Sequence, residues 1–240
     1  MNGATRCSVV VQTNAAFTRS VLHAVERFVP KGGHSVSIQA VASDSDEETL
    51  ELMGILRHQS DVFGLLGKNT EQVQAALLGL RSLGIPVIAL VSDLDASVRT
   101  TYIGGNNRAA GQMAALIFGR SLEREPSVKI AIVTCNLAYR CWEDREIGFR
   151  SLLRQRFPHI GIIEVVAEND SPEATCEAVL RILGNNRTVG GIYNLVGENL
   201  GLAQAIREIG LSSRPLYVAH ELDEVTESLL RGGVIDFLIA

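Results

Sequence analysis

The sequence predicts an α/β fold of two doubly wound parallel-sheet lobes, and three observations carry that expectation. Strand-like segments alternate with amphipathic helical segments along nearly all of the 240-residue chain, the pattern of βα units joined by right-handed crossovers. Most strand segments are continuous Val- and Ile-rich runs such as 128-VKIAIVTC-135, as strands covered on both faces require. About nine or ten such strands exceed one small sheet. The segment 101-TYIGGNNRAAGQMAA-115, a short strand, a Gly-Gly, two Asn and a new helix, reads as a crossover between lobes.

In chain order, strands are expected at 7–13, 35–42, 61–67, 86–92, 101–105, 128–135, 160–167, 188–195 and 215–220, with a further apolar strand beginning in 232-GGVIDFLIA-240. Helices are expected at 16–29, 46–58, 69–83, 107–121, 139–156, 172–184, 198–210 and 222–231. In 44-DSDEETLELMGILRH-58 acids crowd the first turn and basic residues the last, which complements the helix dipole. Pro172 sits just inside a start marked by Asp170 and Ser171, where its missing N–H costs nothing. Gly84 and Gly210 each follow a helix end, as C-terminal caps do. The expected division is a first lobe over 1–104, with 235–240 returning towards it, and a second over 105–234.

Composition narrows the function classes. The net charge of −5 and scattered basic residues do not form the footprint of a nucleic-acid-binding domain. No apolar run is long enough to span a membrane, and the N-terminus enters a strand without the apolar stretch of a secretory signal, so a cytoplasmic location is expected. Cys7, Cys135, Cys141 and Cys176 contain no CxxC pair or zinc-type spacing and read as small core residues, with no metal or cofactor implied.

Sequence patterns for catalysis fail one by one. In 64-GLLGKNT-70 a Gly-Lys pair opens a helix, yet Val62 occupies the first glycine position of a P-loop and Asn69 the hydroxyl position, leaving a βα turn with an exposed Lys68. The first turn, 13-TNAAFTRS-20, has no dinucleotide-binding glycines, and no G-x-S-x-G elbow exists. His23, His34, His58 and His159 are dispersed and read as surface residues. Glu143 and Asp144 stand at a helix start, where carboxylates are expected for dipole reasons alone. No catalytic residue is assigned, and the chain reads as a non-enzyme.

A positional pattern remains. Ligands of doubly wound sheets bind at the carboxyl ends of the strands, and those ends carry Asn14 and Phe17, then Ser92, Asp93 and Asp95, then Asn136, Tyr139, Trp142 and Arg145, then Asn194, and finally His220 with Glu221. Carboxylates and an Arg fork can bridge neighbouring hydroxyls, amides both donate and accept, and aromatic faces cover the C–H face of a sugar ring. Asn14, Phe17, Asp93, Trp142, Arg145, Asn194 and Glu221 are therefore the candidate ligand-binding residues. Glu198 and Asn199 read as caps of the following helix.

The order and spacing of 84-GIPVIALVSDL-94, 102-YIGGNNRAAGQMAA-115, 145-REIGFRSLL-153, 191-GIYNLVGENLGLAQAIRE-208 and 218-VAHELDEVTESLLRGGVIDFLIA-240 resemble the effector-binding core of the lac repressor family of transcription regulators, which shares its fold with periplasmic sugar-binding proteins. The resemblance implies a sugar or polyol effector in a cleft between two lobes, a homodimer, and operator DNA reached only through a helix-turn-helix headpiece; that headpiece and the family's C-terminal end are both expected to be missing from this chain. In the resemblance, Asp93 matches the Asp of a ligand-binding Asp–Arg pair whose Arg is replaced by Leu94, and Arg145 matches the arginine of an R-x-x-G-F motif completed by Gly148 and Phe149. Asn194 matches the Asn that ends the eighth strand, Glu221 stands where an Asp is usual, and Phe17 resembles the first-loop aromatic. The alternative it carries is a periplasmic sugar-binding protein serving a transporter.

Overall fold

The computed structural model describes residues 4–12, 21–24, 27, 33–41, 46–125, 127–135, 139–184, 189–210 and 214–240. The chain divides into two compact units, Met1–Gly105 with Ala138–Cys141, and Asn106–Leu137 with Trp142–Ala240.

The first unit holds a sheet in the order β2-β1-β3-β4-β5. Its strands are β1 (Arg6–Gln12), β2 (Ser35–Val41), β3 (Val62–Leu66), β4 (Val87–Leu90) and β5 (Thr101–Ile103), and every pairing is parallel. Helices α1 (Asp46–Leu56) and α2 (Glu71–Ser82) contribute Met53, Leu56, Val73, Leu77 and Leu80 to a core with Val10, Phe63, Leu65 and Val87. Val9 and Val11 point to the opposite face and form a smaller cluster with Leu66, the alternation that a strand imposes. Strand β4 ends at Leu90, earlier than its apolar run suggests, because Val91 takes a left-handed backbone with φ 61°.

The second unit repeats this topology. Its strands are β6 (Lys129–Cys135), β7 (Gly161–Ala167), β8 (Val189–Asn194), β9 (Leu216–His220) and β10 (Phe237–Ile239), in the order β10-β9-β8-β6-β7, again all parallel. Numbered within its own unit, each sheet runs 2-1-3-4-5, the doubly wound order whose ligand crevice opens between strands 1 and 3. Helices α3 (Asn107–Ser121) and α4 (Arg140–Arg156) cover one face through Ala114, Phe118, Phe149 and Leu153. Helices α5 (Pro172–Leu183) and α6 (Leu200–Ile209) cover the other through Cys176, Val179, Leu183, Leu202 and Ala205. The last helix is α7 (Glu224–Arg231).

Residues 235–240 do not return to the first sheet as the sequence suggested. Strand β10 pairs with β9, Phe237 opposite Val218 and Ile239 opposite His220. Gly233, at φ 69°, turns the chain back after α7, and the Asp236 carboxylate then accepts the Tyr217 N–H at 2.7 Å and pairs with Arg214. Lys68 also differs from expectation: only 7% exposed, it leaves β3 at the inner carboxyl edge of the sheet, where its N–H donates to the Gln12 side chain at 2.9 Å. The four dispersed histidines are exposed, and the four cysteines are free thiols, three of them buried.

Candidate functional site

In the second unit the crevice between the sheet's first and third strands opens at the ends of β6 and β8, and Arg145 stands over it. Its guanidinium, 5% exposed as a residue, makes three bonds inside the unit. Nε donates to Asn107 Oδ1 at 2.9 Å, Nη1 to the Leu195 carbonyl at 3.1 Å and Nη2 to Glu221 Oε1 at 2.8 Å. Three elements thus fix the fork: the start of α3, the loop after β8 and the loop after β9. Glu221 adopts φ 69°, an uncommon backbone for a non-glycine residue that persists only where surroundings hold it. The hold is visible. The Glu221 N–H donates to the Ile239 carbonyl at 3.0 Å, and the Thr226 hydroxyl donates to the Glu221 carbonyl at 2.8 Å.

The sequence R-E-I-G-F has a packing reason. A Cβ on Gly148 would lie 2.1 Å from the Arg108 carbonyl oxygen, and a Cβ on Gly111 would lie 1.9 Å from that of Arg145. Helices α3 and α4 therefore cross backbone to backbone at two reciprocal glycines. One residue on, Phe149 enters the core, its ring 5.9 Å from Phe118 and 4.6 Å from Tyr193. The crossing brings Asn107 to Arg145, so the glycines place the guanidinium as well as close the core.

Beneath the arginine lies a buried polar pair. Tyr193 Oη and His220 Nε2 are 2.8 Å apart, and the two rings are tilted against each other at 5.5 Å. Burial first, and then the Arg145 charge, hold the His220 imidazole well below its ordinary range, so it is neutral in the native state. Burial pushes the Tyr193 phenol up, with Arg145 opposing. Unfolded, the imidazole takes up a proton near pH 6.5; folded, it does not, so acid favours the unfolded chain. Its contribution to stability is present above pH 6.5 and is lost as pH falls below it. Urea unfolding at pH 5.5 should give a stability about 1 kcal/mol lower than at pH 7, and His220→Asn should flatten that slope. Equal slopes in both proteins would contradict the neutral imidazole.

Asn194, fully buried at the end of β8, donates from Nδ2 to the Glu198 carbonyl at 2.8 Å and to Asn199 Oδ1 at 2.9 Å. Asn199 Oδ1 also accepts the Tyr217 hydroxyl at 2.7 Å, whose phenol burial pushes up. The Asn194 Oδ1 accepts no hydrogen bond from the described residues. Of the two expected caps, only Glu198 behaves as one, its Oε1 accepting the Gly201 N–H at 2.8 Å. Burial raises its carboxyl against the effect of the bonds from Gly201 and Leu200. Asn199 makes no side-chain cap bond, because its amide turns inward to Asn194 and Tyr217.

In the first unit Asp93 has the arginine partner that its neighbour does not supply. Leu94 is buried in the core, and Arg99 donates instead, Nη2 to Asp93 Oδ2 at 2.9 Å, with Nε paired to Oδ1. Asp93 Oδ1 also accepts the Leu94 N–H at 2.8 Å. Both side chains are about a quarter exposed (25% and 27%), so solvent screens the pair. Arg99→Ala should cost no more than about 1 kcal/mol in chemical denaturation; a loss several times larger would show that the pair is structural. At the crevice of this sheet Gln12 donates to Asp46 Oδ1 at 2.9 Å, and Thr70 donates to the same carboxylate at 2.6 Å.

The structure thus brings Arg145, Asn194 and Glu221 to one edge of the second unit and places Asp93 at the corresponding edge of the first. Trp142 is partly buried against the core containing Val133 and Cys135. Asn14 and Phe17 lie outside the described residues. Arg99, Asn107 and Tyr217 were not foreseen, and Asn199 was expected only as a helix cap. Of these, only Asn107 carried a signal, standing at a helix start beside the glycine crossing.

A model of the periplasmic binding protein domain matches residues 9–240. Among solved structures, the chain is similar to the periplasmic component of an ABC-type sugar transport system from Hahella chejuensis, at 22% identity over 97% of this chain and 86% of that one, with TM-score 0.86. It is similar to an ABC transporter solute-binding protein from Agrobacterium vitis bound with α-D-tagatopyranose, at 18% identity over 98% and 82%, with TM-score 0.80. It is also similar to a putative LacI transcriptional regulator from Bacteroides fragilis, at 16% identity over 98% and 84%, with TM-score 0.79. At these identities the likeness is one of fold. No curated protein matches the chain.

Proposed function

The chain belongs to the periplasmic binding protein domain family, a family of binders rather than catalysts, and from that membership we propose that it binds a sugar or polyol at the carboxyl edges of its sheets. The observation that carries the reading is Arg145, a guanidinium fixed over the second sheet's crevice by Asn107, Leu195 and Glu221. A planar donor fork beside a carboxylate suits a row of hydroxyls, each of which donates and accepts. Asn194 and Trp142 from the second unit, and Asp93, Phe17 and Asn14 from the first, are the further ligand residues of this reading. A thermal-shift screen of free sugars and alditols tests it. A ligand at a hundredfold excess over its Kd should raise stability by about 2.7 kcal/mol, and no shift across pentoses, hexoses and alditols would reject it.

For the role of that binding, we infer a sensing domain of a lac repressor-type regulator in the cytoplasm, where four free thiols persist as such. The effector can alter operator affinity only by binding two states of the protein unequally. A second reading, delivery of a sugar to a transporter, is favoured by the sugar-transport proteins among its structural relatives. Sedimentation separates the two, since the regulator reading requires a dimer and the transport reading a monomer.

Asn194→Ala separates structure from binding at the edge of β8. It leaves the Glu198 carbonyl and Asn199 Oδ1 short of a donor, so stability should fall by about 1–3 kcal/mol. If Asn194 also meets the ligand, the affinity for a sugar found by the screen should fall as well; an unchanged affinity would confine Asn194 to the internal network.

A further inference from the structure

Resting on the reading of Asp93 as a ligand residue, we propose that Tyr102 is a positioning residue for binding: its hydroxyl holds the left-handed turn at Val91 that delivers Asp93 to the carboxyl edge of the first sheet. Strand β4 pairs with β5 up to Leu90, opposite Ile103. The chain then turns sharply. The Val91 N–H donates to the Ile103 carbonyl at 2.9 Å, and the Ser92 N–H donates to the Leu90 carbonyl at 2.6 Å, which closes a three-residue turn with Val91 at its centre. Val91 sits at φ 61°, the hand of such a turn that is rare and strained. A β-branched residue is a poor occupant of that backbone, which persists only where its surroundings over-determine it.

Tyr102 supplies that constraint from β5. Its ring packs against the core of the first unit. Its hydroxyl donates to the Val91 carbonyl at 2.9 Å and to the Gly105 carbonyl at 2.8 Å, a single proton shared between two acceptors. A Cβ on Gly104 would stand 2.3 Å from the Tyr102 oxygen, so the stretch 102-YIGG-105 joins a donor to the space that the donor needs. On the far side of Asp93, Leu94 is buried in the same core. Asp93 therefore lies between two fixed points, the turn at Val91 and the side chain of Leu94. Arg99 orients the Asp93 carboxylate, but the turn sets where its backbone stands. Without the hydroxyl, Val91 can relax to an ordinary negative φ, and the direction in which the chain leaves β4 changes with it.

Calorimetric titration of the full chain with D-glucose, D-galactose, D-xylose, D-ribose and D-mannitol tests this. For the tightest binder among them, Tyr102→Phe, which removes only the hydroxyl, should raise Kd about tenfold, because an unsupported left-handed valine is disfavoured by roughly that factor. Glycine adopts the left-handed backbone at no steric cost. Val91→Gly added to Tyr102→Phe should therefore bring Kd back to within about threefold of the wild type. A hydroxyl that served stability alone would lower the melting temperature and leave Kd unmoved in both variants. A Tyr102→Phe Kd less than about threefold above the wild type overturns the inference and leaves the binding reading intact. So does a loss of affinity that Val91→Gly fails to recover to that limit. Should Tyr102→Phe not fold by circular dichroism, the double variant decides alone by the same limit. Binding of none of the five by the wild type overturns the binding reading, and this inference with it.

Discussion

Arg145→Ala should abolish measurable sugar binding and lower stability by about 3 kcal/mol. Both effects come from one geometry. The substitution removes the partner of Glu221, whose side chain is 16% exposed, and strips donors from the Leu195 carbonyl and Asn107 Oδ1. Removing one member of a largely buried ion pair is strongly destabilising because the other charge is left without compensation. Arg145→Lys should rescue little: an ammonium restores the charge but cannot address three acceptors arranged for a fork. The double variant Arg145→Met with Glu221→Leu separates the two effects. Replacing the whole pair by apolar groups of similar volume should return most of the stability and none of the binding. If Arg145→Ala bound sugar as the wild type does, the pair would be a structural clasp and the site would lie elsewhere.

Gly148→Ala should cost about 3 kcal/mol or prevent folding, although alanine is the better helix former by about 1 kcal/mol. The new Cβ would stand 2.1 Å from the Arg108 carbonyl oxygen, a backbone atom that cannot move aside alone. Helices α3 and α4 would have to part, loosening the Phe118, Phe149 and Tyr193 contacts, and overpacking of this kind is costly. Because the same crossing brings Asn107 to Arg145, any folded fraction should bind sugar more weakly. Thermal denaturation of Gly148→Ala and Gly111→Ala checks this; a melting temperature equal to or above the wild type would contradict the close approach.

Much of this architecture was legible in the sequence, for identifiable reasons. Central strands such as β3, β4 and β6 are apolar on both faces, so their runs stand out, and the helix start at Ser171 carries the oxygen that caps it. Arg145, Asn194 and Glu221 could be picked out because strand ends follow directly from strand positions. What could not be read were partnerships across the fold. Glu221 meets Arg145 from 76 positions away, a contact set by β9 lying beside β8 in the sheet. Asp93 finds Arg99 because a loop folds back on itself, and a missing arginine at Leu94 said nothing about that. Asn199 stands where a cap belongs, yet it turns inward because Tyr217 and Asn194 offer buried partners. The return of 235–240 was misjudged because an apolar strand gives no sign of which neighbour it will pair with.

The central claim is that Arg145 and Glu221 together receive a hydroxylated ligand. The measurement that tests it most directly is a crystal structure of this chain with a sugar or alditol identified by the thermal-shift screen. Ligand hydroxyls within hydrogen-bonding distance of both the Arg145 guanidinium and the Glu221 carboxylate are the predicted result. A ligand seated away from both residues, with the Arg145–Glu221 bond untouched by it, would contradict the account.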